Sequence, residues 1–281
     1  MIKLVLSDMD NTLNPVGSPR VSERTVKAIK ACREAGIHFA PCTGRDVEAL
    51  LHFFHDQEDC IEDVVSLNGK LVYSNHELIA QHPLDNDALR RLDIFLRQIP
   101  GACLAVDIAR DTIQETLCVD PTPENVMFVQ GVMGHLTTWH YRVPDTPIYA
   151  AAVILTGNDY DQAMLQSLIN SIIPEVKLVK PFSRWLDVLP TGIDKGTGII
   201  ELCDHLGIMF DEIVAFGDSQ NDFPMFDLVP YSVTVANAMP AAWDRTRYHV
   251  GACAEDGVAI ALEQLVKAQA KGKLPKYLRD K

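Results

Sequence analysis

The sequence predicts an α/β protein whose parallel-sheet core is interrupted by an inserted α+β segment. Over residues 1–55, short apolar strands alternate with amphipathic helices, which is typical of right-handed βαβ units. From residue 84 the pattern changes to helices mixed with hairpin strands, as in domains with an antiparallel sheet. The alternation returns near residue 187. We therefore expect a Rossmann-like core formed by residues 1–83 and 187–281, with an inserted domain at residues 84–186.

The first part of the core begins with a nearly continuous apolar run at residues 2–6, which is typical of a parallel strand buried on both faces. Gly36 provides a stop signal for the helix that follows, and Asn68-Gly69 is a strong turn signal. After the first strand we expect a helix at 21–35, a strand at 37–42, a helix at 47–54, a strand at 61–67, and strands at 70–73 and 78–81.

The inserted segment and the second part of the core show the same two kinds of periodicity. In the insert we expect helices at 84–99 and 160–172, and strands at 102–108, 112–118, 136–143, 149–155, 176–179 and 185–188. In the second part of the core we expect helices at 194–206, 224–228 and 257–269, and strands at 213–216, 231–235 and 248–250.

Composition narrows the class of protein. A net charge of -13 argues against nucleic-acid or anionic-membrane partners, because both need clustered Lys and Arg. No apolar run approaches the roughly 18 residues of a membrane span, and the N-terminus has no signal-peptide pattern. The seven cysteines are scattered and none lies in a CxxC motif, which is not the pattern of a disulfide framework or a zinc site. We expect buried, reduced cysteines and a cytoplasmic location.

Asp8 and Asp10 follow the first strand. Residues i and i+2 of an extended chain point the same way, so both carboxylates face one spot at the carboxyl end of the strand, where open α/β sheets bind ligands. Two carboxylates this close repel each other unless a cation lies between them or one is protonated. The pair therefore binds a hard cation such as Mg²⁺, performs acid–base chemistry, or is simply a solvated turn.

Further polar side chains follow two other core strands. If the strands are parallel, the polar residues that follow them all lie at one edge of one sheet. Lys195, at the start of a helix, is then close to the same edge. A Lys amine at a helix start opposes the helix dipole, which is easier to explain if an anion binds there. Carboxylates for a hard cation, with Lys, Thr and backbone N–H groups for an anion, suit phosphoryl chemistry. The clusters are Thr43/Gly44/Arg45 and Asp218/Asn221/Asp222.

Four short motifs now occur in a recognisable order: DMDNT, CTGRD, GIDKG and GDSQND. They resemble the four motifs of haloacid dehalogenase (HAD) superfamily phosphatases. An insert of about 100 residues between the second and third motifs, together with Asn68-Gly69, Asn237-Ala238 and Glu255-Asp256-Gly257, resembles the Cof-type branch with a C2B cap. The usual Gly after the second Asp is replaced by Asn11, a residue that tolerates positive φ.

The resemblance implies a role for each acid. Asp8 would be the nucleophile that becomes an aspartyl-phosphate, and Asp10 would protonate the leaving group and then activate water. Mg²⁺ would be bound by Asp8, by Asp10 through its backbone carbonyl, and by Asp218, with Asp222 assisting in the first or second shell of ligands.

The resemblance also implies the substrate contacts. Thr43 and Lys195 would hold the phosphoryl oxygens and offset charge in the transition state. Gly44, Arg45 and Asn221 would contribute to substrate binding. The expected partner is a small phosphorylated metabolite, such as a sugar phosphate, held under the cap. A sugar-phosphate mutase or other phosphotransferase, and a non-catalytic regulatory protein, remain alternatives, and the oligomeric state is open.

Overall fold

The computed structural model describes residues 1–110, 113–134, 136–157 and 161–279. The chain divides into two units: Met1–Gln81 with Ile193–Lys281, and His82–Gly192. Thr112 and Tyr160, which begin two of the predicted elements, lie outside the described residues. Within the described ranges, every helix is too short or too polar to cross a membrane. All seven cysteines are buried, as predicted, and each is a free thiol in the structure.

Strands and helices within the described residues follow the predicted order, with ends that differ by a few residues. The strands are β1 Leu4–Ser7, β2 His38–Pro41, β3 Val64–Ser66, β4 Leu71–Ser74, β5 Glu77–Gln81, β6 Ala102–Arg110, β7 Ile113–Val119, β8 Leu136–His140, β9 Ala151–Leu155, β10 Val176–Phe182, β11 Trp185–Pro190, β12 Ile213–Gly217, β13 Tyr231–Val235 and β14 Tyr248–Val250. The helices are α1 Glu23–Glu34, α2 Val47–Phe53, α3 Asn86–Leu96, α4 Pro123–Met133, α5 Gln162–Ile172, α6 Lys195–Leu206, α7 Phe223–Leu228, α8 Pro240–Arg245 and α9 Gly257–Gln269.

The first unit is built on a five-stranded sheet in the order β14-β13-β12-β1-β2, in which all neighbouring strands are parallel. Side chains of β1 alternate between two apolar clusters. Val5 packs in the cluster that includes α1 and α9, whereas Leu4 and Leu6 pack in the cluster that includes α6 and α7. Helices thus cover both faces, as a parallel sheet requires. The parallel sheet brings the carboxyl ends of β1, β2 and β12 to one edge.

The first unit also contains a small antiparallel sheet, β3-β4-β5. It lies beside the end of β2, where Cys42 and Val65 pair through an isolated β-bridge. The predicted hairpin is confirmed. Its two strands, β3 and β4, are joined by a 3-10 turn over Leu67–Gly69, in which Asn68 has a φ of 57° and Gly69 a φ of 93°. Asn and Gly adopt these left-handed conformations more readily than other residues do.

The second unit is built on a six-stranded sheet in the order β10-β11-β9-β6-β7-β8. The neighbours are antiparallel except for β7 and β8, which are parallel. Leu92 of α3 and Ile169 of α5 pack in one apolar cluster of the sheet, while Val129 of α4 packs in another. The expected domain boundary after residue 186 falls inside β11, whose pairing with β10 continues to Pro190. The second unit accordingly extends to Gly192.

Two helices, α4 and α8, lie where the sequence pattern predicts none. Each begins at a proline, which suits the first position of a helix because its missing N–H needs no partner there. Thr122 and Asn125 form a capping box at the start of α4, and Gly134 ends the helix with a φ of 71°. Local capping signals were therefore present, but α4 buries only Asn125 and Val129 and has little amphipathic periodicity to reveal it.

Candidate active site

A buried ion cluster lies at the carboxyl edge of the parallel sheet. The Nζ of Lys195, at the start of α6, donates to Asp8 Oδ1 at 2.6 Å and to Asp222 Oδ1 at 2.7 Å. Lys195 and Asp222 are wholly buried, and Asp8 is nearly so. Burial alone would lower the pKa of Lys195, but the charges of Asp222 and Asp8 outweigh it and raise this pKa. The amine therefore carries a positive charge that holds two carboxylates from different loops.

Asp8 follows β1 directly, and its backbone N–H donates to the carbonyl of Phe216 in β12 at 2.9 Å. Burial raises the pKa of the Asp8 carboxyl; Lys195 offsets part of this effect, and the charge of Asp222 adds to it. The side chain is thus held at the junction of two central strands, with one oxygen on the Lys195 amine.

Asp222 organises the loop after β12. Its Oδ2 accepts from the backbone N–H groups of Asp218 at 2.9 Å and Ser219 at 3.0 Å, so both of its oxygens have protein donors. Gly217 must be glycine here, because a Cβ would lie 2.6 Å from the Asp222 carboxyl carbon. The carboxylate of Asp222 therefore fixes the backbone that presents Asp218.

Asp218 is the third carboxylate of the site, beside Asp8 and Asp222. Its Oδ1 accepts from the hydroxyl of Thr12 at 3.0 Å. Burial and the charge of Asp222 raise the pKa of Asp218 to about 6. One carboxylate oxygen from each of Asp8, Asp218 and Asp222 lies within 4.8 Å of the others. A hard divalent cation suits such an all-oxygen set, since it offsets the repulsion between the acids.

Asp10 lies beside the buried cluster but is half-exposed, and Arg45 binds it through two hydrogen bonds. The Arg45 guanidinium also lies 4.3 Å from the centre of the Phe53 ring. Directly after Asp10 the chain turns at Asn11, whose φ of 60° lies in the left-handed region that Asn tolerates. The Asn11 carbonyl accepts from Asn237 Nδ2 at 2.7 Å, which ties this turn to the loop after β13.

The loop after β2 presents the remaining predicted residues. Thr43 is buried, and its hydroxyl accepts from the backbone N–H of Arg45 at 3.2 Å. Gly44 is exposed. On the opposite loop, Asn221 accepts from the Ser219 hydroxyl at 2.7 Å through its side-chain oxygen. No described contact joins Asn221 to Thr43 or Lys195.

Asn68 is a residue whose place in this region the sequence pattern does not show. It is buried, and its backbone N–H donates to the Thr43 carbonyl at 2.8 Å. Its amide nitrogen would lie 3.1 Å from a Cβ built on Gly44. Its side-chain oxygen has no hydrogen-bond partner among the residues that the structure describes. The Asn68-Gly69 pair predicts a turn, but not that the turn supports the Thr43 loop.

Comparisons with known proteins identify the family of the chain. The model of the haloacid dehalogenase-like hydrolases matches residues 5–262. A phosphatase-named protein of Bacillus subtilis, YkrA, is 28% identical over 272 residues, covering 94% of this chain and 97% of its own. The HMP-PP phosphatase of Klebsiella pneumoniae is 29% identical over 255 residues, covering 85% and 86%.

Solved structures share the fold. A HAD-superfamily phosphatase from Bacteroides thetaiotaomicron superposes with a TM-score of 0.78 at 21% identity, covering 94% of both chains. The predicted fold, with its parallel-sheet core and additional antiparallel sheet, is thereby confirmed, and so is the family inferred from the four motifs. The chain belongs to the haloacid dehalogenase-like hydrolases, as a phosphatase-type enzyme of the Cof-type branch.

Proposed function

We propose that the chain is a Mg²⁺-dependent phosphomonoester hydrolase that acts on small phosphorylated metabolites through an aspartyl-phosphate on Asp8. The observation that supports this most is the buried cluster in which Lys195 holds Asp8 at 2.6 Å, with Asp218 and Asp222 beside them. Burying so many charged groups is costly, and such clusters of buried ionisable groups are concentrated at functional sites. The HMP-PP phosphatase name of a relative supports a small organic phosphate as the substrate class.

The acidic residues fit Mg²⁺. Asp8 and Asp218 would hold the ion through their carboxylates, with the Asp10 backbone carbonyl as a further oxygen ligand. Asp222 has both oxygens on protein donors, which supports a role in holding Lys195 and the Asp218 loop in place. Bound Mg²⁺ would offset the negative charge of the phosphoryl group and of the acids around it.

In the first step an Asp8 carboxylate oxygen attacks phosphorus, and the bond from phosphorus to the leaving-group oxygen breaks. Asp10 gives its proton to that oxygen, so a free alcohol leaves. In the second step Asp10 takes a proton from water as the water attacks phosphorus. Inorganic phosphate is released, and Asp8 and protonated Asp10 are restored.

Thr43 and Lys195 would hold the phosphoryl oxygens during both steps, with the exposed backbone of Gly44 beside them. Arg45 would contact the substrate and would also orient Asp10, to which it donates two hydrogen bonds in the structure. Asn221 would contribute a polar contact from the opposite loop. The free, buried cysteines are compatible with a reducing cytoplasm, which we propose as the location.

The proposal is tested with purified protein, Mg²⁺, p-nitrophenyl phosphate and a panel of phosphorylated metabolites. We expect one inorganic phosphate per substrate consumed, and no turnover by Asp8→Asn. The matched control is Asp63→Asn. Asp63 is also a buried acid, but its hydrogen-bond partners are His38 and Ser74, which are not part of the proposed site. Mg²⁺-dependent turnover by Asp8→Asn would refute the nucleophile. Isomerised product without free phosphate, or an inert protein, would refute the hydrolase.

A further inference from the structure

We propose that the Asn68-Gly69 turn is a positioning element that sets the spacing between Thr43 and Lys195. This inference rests on the proposed function, in which these two residues hold the phosphoryl oxygens. Thr43 follows β2 and Lys195 begins α6, so they are far apart in sequence. The turn between β3 and β4 contacts the backbone next to both.

On one side, the turn segment binds both backbone groups of Thr43. The Thr43 N–H donates to the Val65 carbonyl at 2.9 Å, and the Thr43 carbonyl accepts from the Asn68 N–H at 2.8 Å. With its main chain held at both ends, Thr43 moves only if the segment from Val65 to Asn68 moves too.

On the other side, the turn packs against the start of α6 without any intervening side chain. A Cβ on Gly69 would lie 2.0 Å from the carbonyl oxygen of Asp194, the residue before Lys195. A Cβ on Gly198 would lie 2.7 Å from Val65 Cγ1 and 3.0 Å from the Gly69 Cα. Two glycines facing each other thus let α6 approach the turn closely.

Gly69 therefore meets two separate requirements. Its φ of 93° is needed by the turn, and its missing side chain is needed by Asp194. A hairpin turn alone would explain only the first. Because the Lys195 amine is held at its far end by Asp8 and the backbone before it rests on Gly69, the turn determines where the Lys195 side chain begins.

The test compares Gly69→Ala with Gly207→Ala. Gly207 ends the same helix at a φ of 65°, with no atom within 4 Å of an added Cβ, so this variant carries the conformational strain without the clash. Misplacing a phosphoryl holder by about 1 Å can cost about 100-fold in rate. For Gly69→Ala we expect a loss of this order in kcat with p-nitrophenyl phosphate.

The same experiment separates positioning from general destabilisation. Vanadate resembles the phosphoryl transition state, so its inhibition constant should rise with Gly69→Ala by the factor that kcat/KM falls, while that of inorganic phosphate rises less. Gly207→Ala should lower the unfolding midpoint but leave both inhibition constants unchanged. Equal kinetic constants in the two folded variants would overturn the inference.

A second variant covers the case in which Gly69→Ala does not fold. Gly198→Ala favours the helix, because Ala is a better helix former than Gly, yet its Cβ pushes on Val65. For Gly198→Ala we expect a smaller fall in kcat and a smaller rise in the vanadate inhibition constant than for Gly69→Ala. In the double variant with Val65→Ala, both quantities should partly return to the wild-type values. Unchanged vanadate inhibition in Gly198→Ala would overturn the inference. A wild-type protein that hydrolyses no phosphate ester would instead overturn the proposed function.

Discussion

The guanidinium of Arg45 binds both carboxylate oxygens of Asp10, with Nη2 2.7 Å from Oδ1 and Nε 2.9 Å from Oδ2. The Phe53 ring lies against one face of the guanidinium, whose edge carries the donors to Asp10. A two-bond contact fixes the plane of a carboxylate, whereas a single bond lets it rotate. The Asp10 side chain remains 40% exposed, so a substrate can reach it while Arg45 holds its orientation.

Replacing Arg45 with Lys should therefore impair proton transfer by Asp10. Lys cannot make the two parallel bonds, so we expect kcat to fall by about 10- to 100-fold with an alkyl phosphate, whose leaving group needs a proton. The loss should be clearly smaller with p-nitrophenyl phosphate, because nitrophenolate leaves without protonation. Steady-state kinetics with both substrates measure the difference.

The matched control is Arg24→Lys, since Arg24 binds Glu263 by the same two-bond geometry, at 2.7 and 2.9 Å, on an exposed surface. It should leave kcat unchanged for both substrates. An equal loss on both substrates in Arg45→Lys would contradict an action through Asp10 and would favour direct contact with the phosphoryl group.

Replacing Lys195 with Met should destabilise the fold. The substitution leaves the buried carboxylates of Asp8 and Asp222 without their cation, and breaking a buried ion pair from one side typically costs about 3–5 kcal/mol. Urea unfolding in EDTA measures the loss. Added Mg²⁺ should recover part of it, because a cation again lies among the acids.

The comparison is Lys3→Met, whose half-exposed amine pairs with Glu212 at 2.8 Å. Exposed pairs contribute little to stability, so this variant should unfold at nearly the wild-type urea concentration. If Lys195→Met were as stable as Lys3→Met, the buried acids would have to be neutral in the native protein.

Magnesium binding should strengthen as pH rises. Burial and the charge of Asp222 raise the pKa of Asp218 to about 6, above the value of about 3.9 expected in the unfolded chain. A carboxyl with a raised native pKa favours folding at low pH, and that contribution is lost as pH rises through about 6. Mg²⁺ needs the deprotonated acid, so its affinity increases over the same range.

Two measurements check this prediction. In EDTA, Asp218→Asn should gain stability relative to the wild type as pH is raised through about 6, because the amide cannot ionise. With Mg²⁺, calorimetry of the wild type should show proton release on binding and a rising affinity. A Mg²⁺ affinity independent of pH would contradict the prediction.

Much of this protein could be predicted from local sequence features. Apolar runs as short as residues 2–6 indicate buried parallel strands. The carboxyl ends of parallel strands share an edge, so the sequence predicts that Asp8, Thr43 and Asp218 lie at the same edge of the sheet. The helix beginning at Lys195 and the left-handed Asn11 were predictable because capping and backbone conformation depend on neighbouring residues.

Other features depended on which distant segments meet. Arg45 binds Asp10 across 35 residues, and Gly69 rests on Asp194 across a far longer stretch of chain. The end of the second unit was equally hidden, because β11 is held to Pro190 by pairing with β10 rather than by a local stop signal. Sequence periodicity predicted every strand that the structure describes and most of the helices, and the acidic motifs were visible in the residue order itself. Only the tertiary structure decided which side chains hold those motifs in place, since such contacts follow the path of the chain in space.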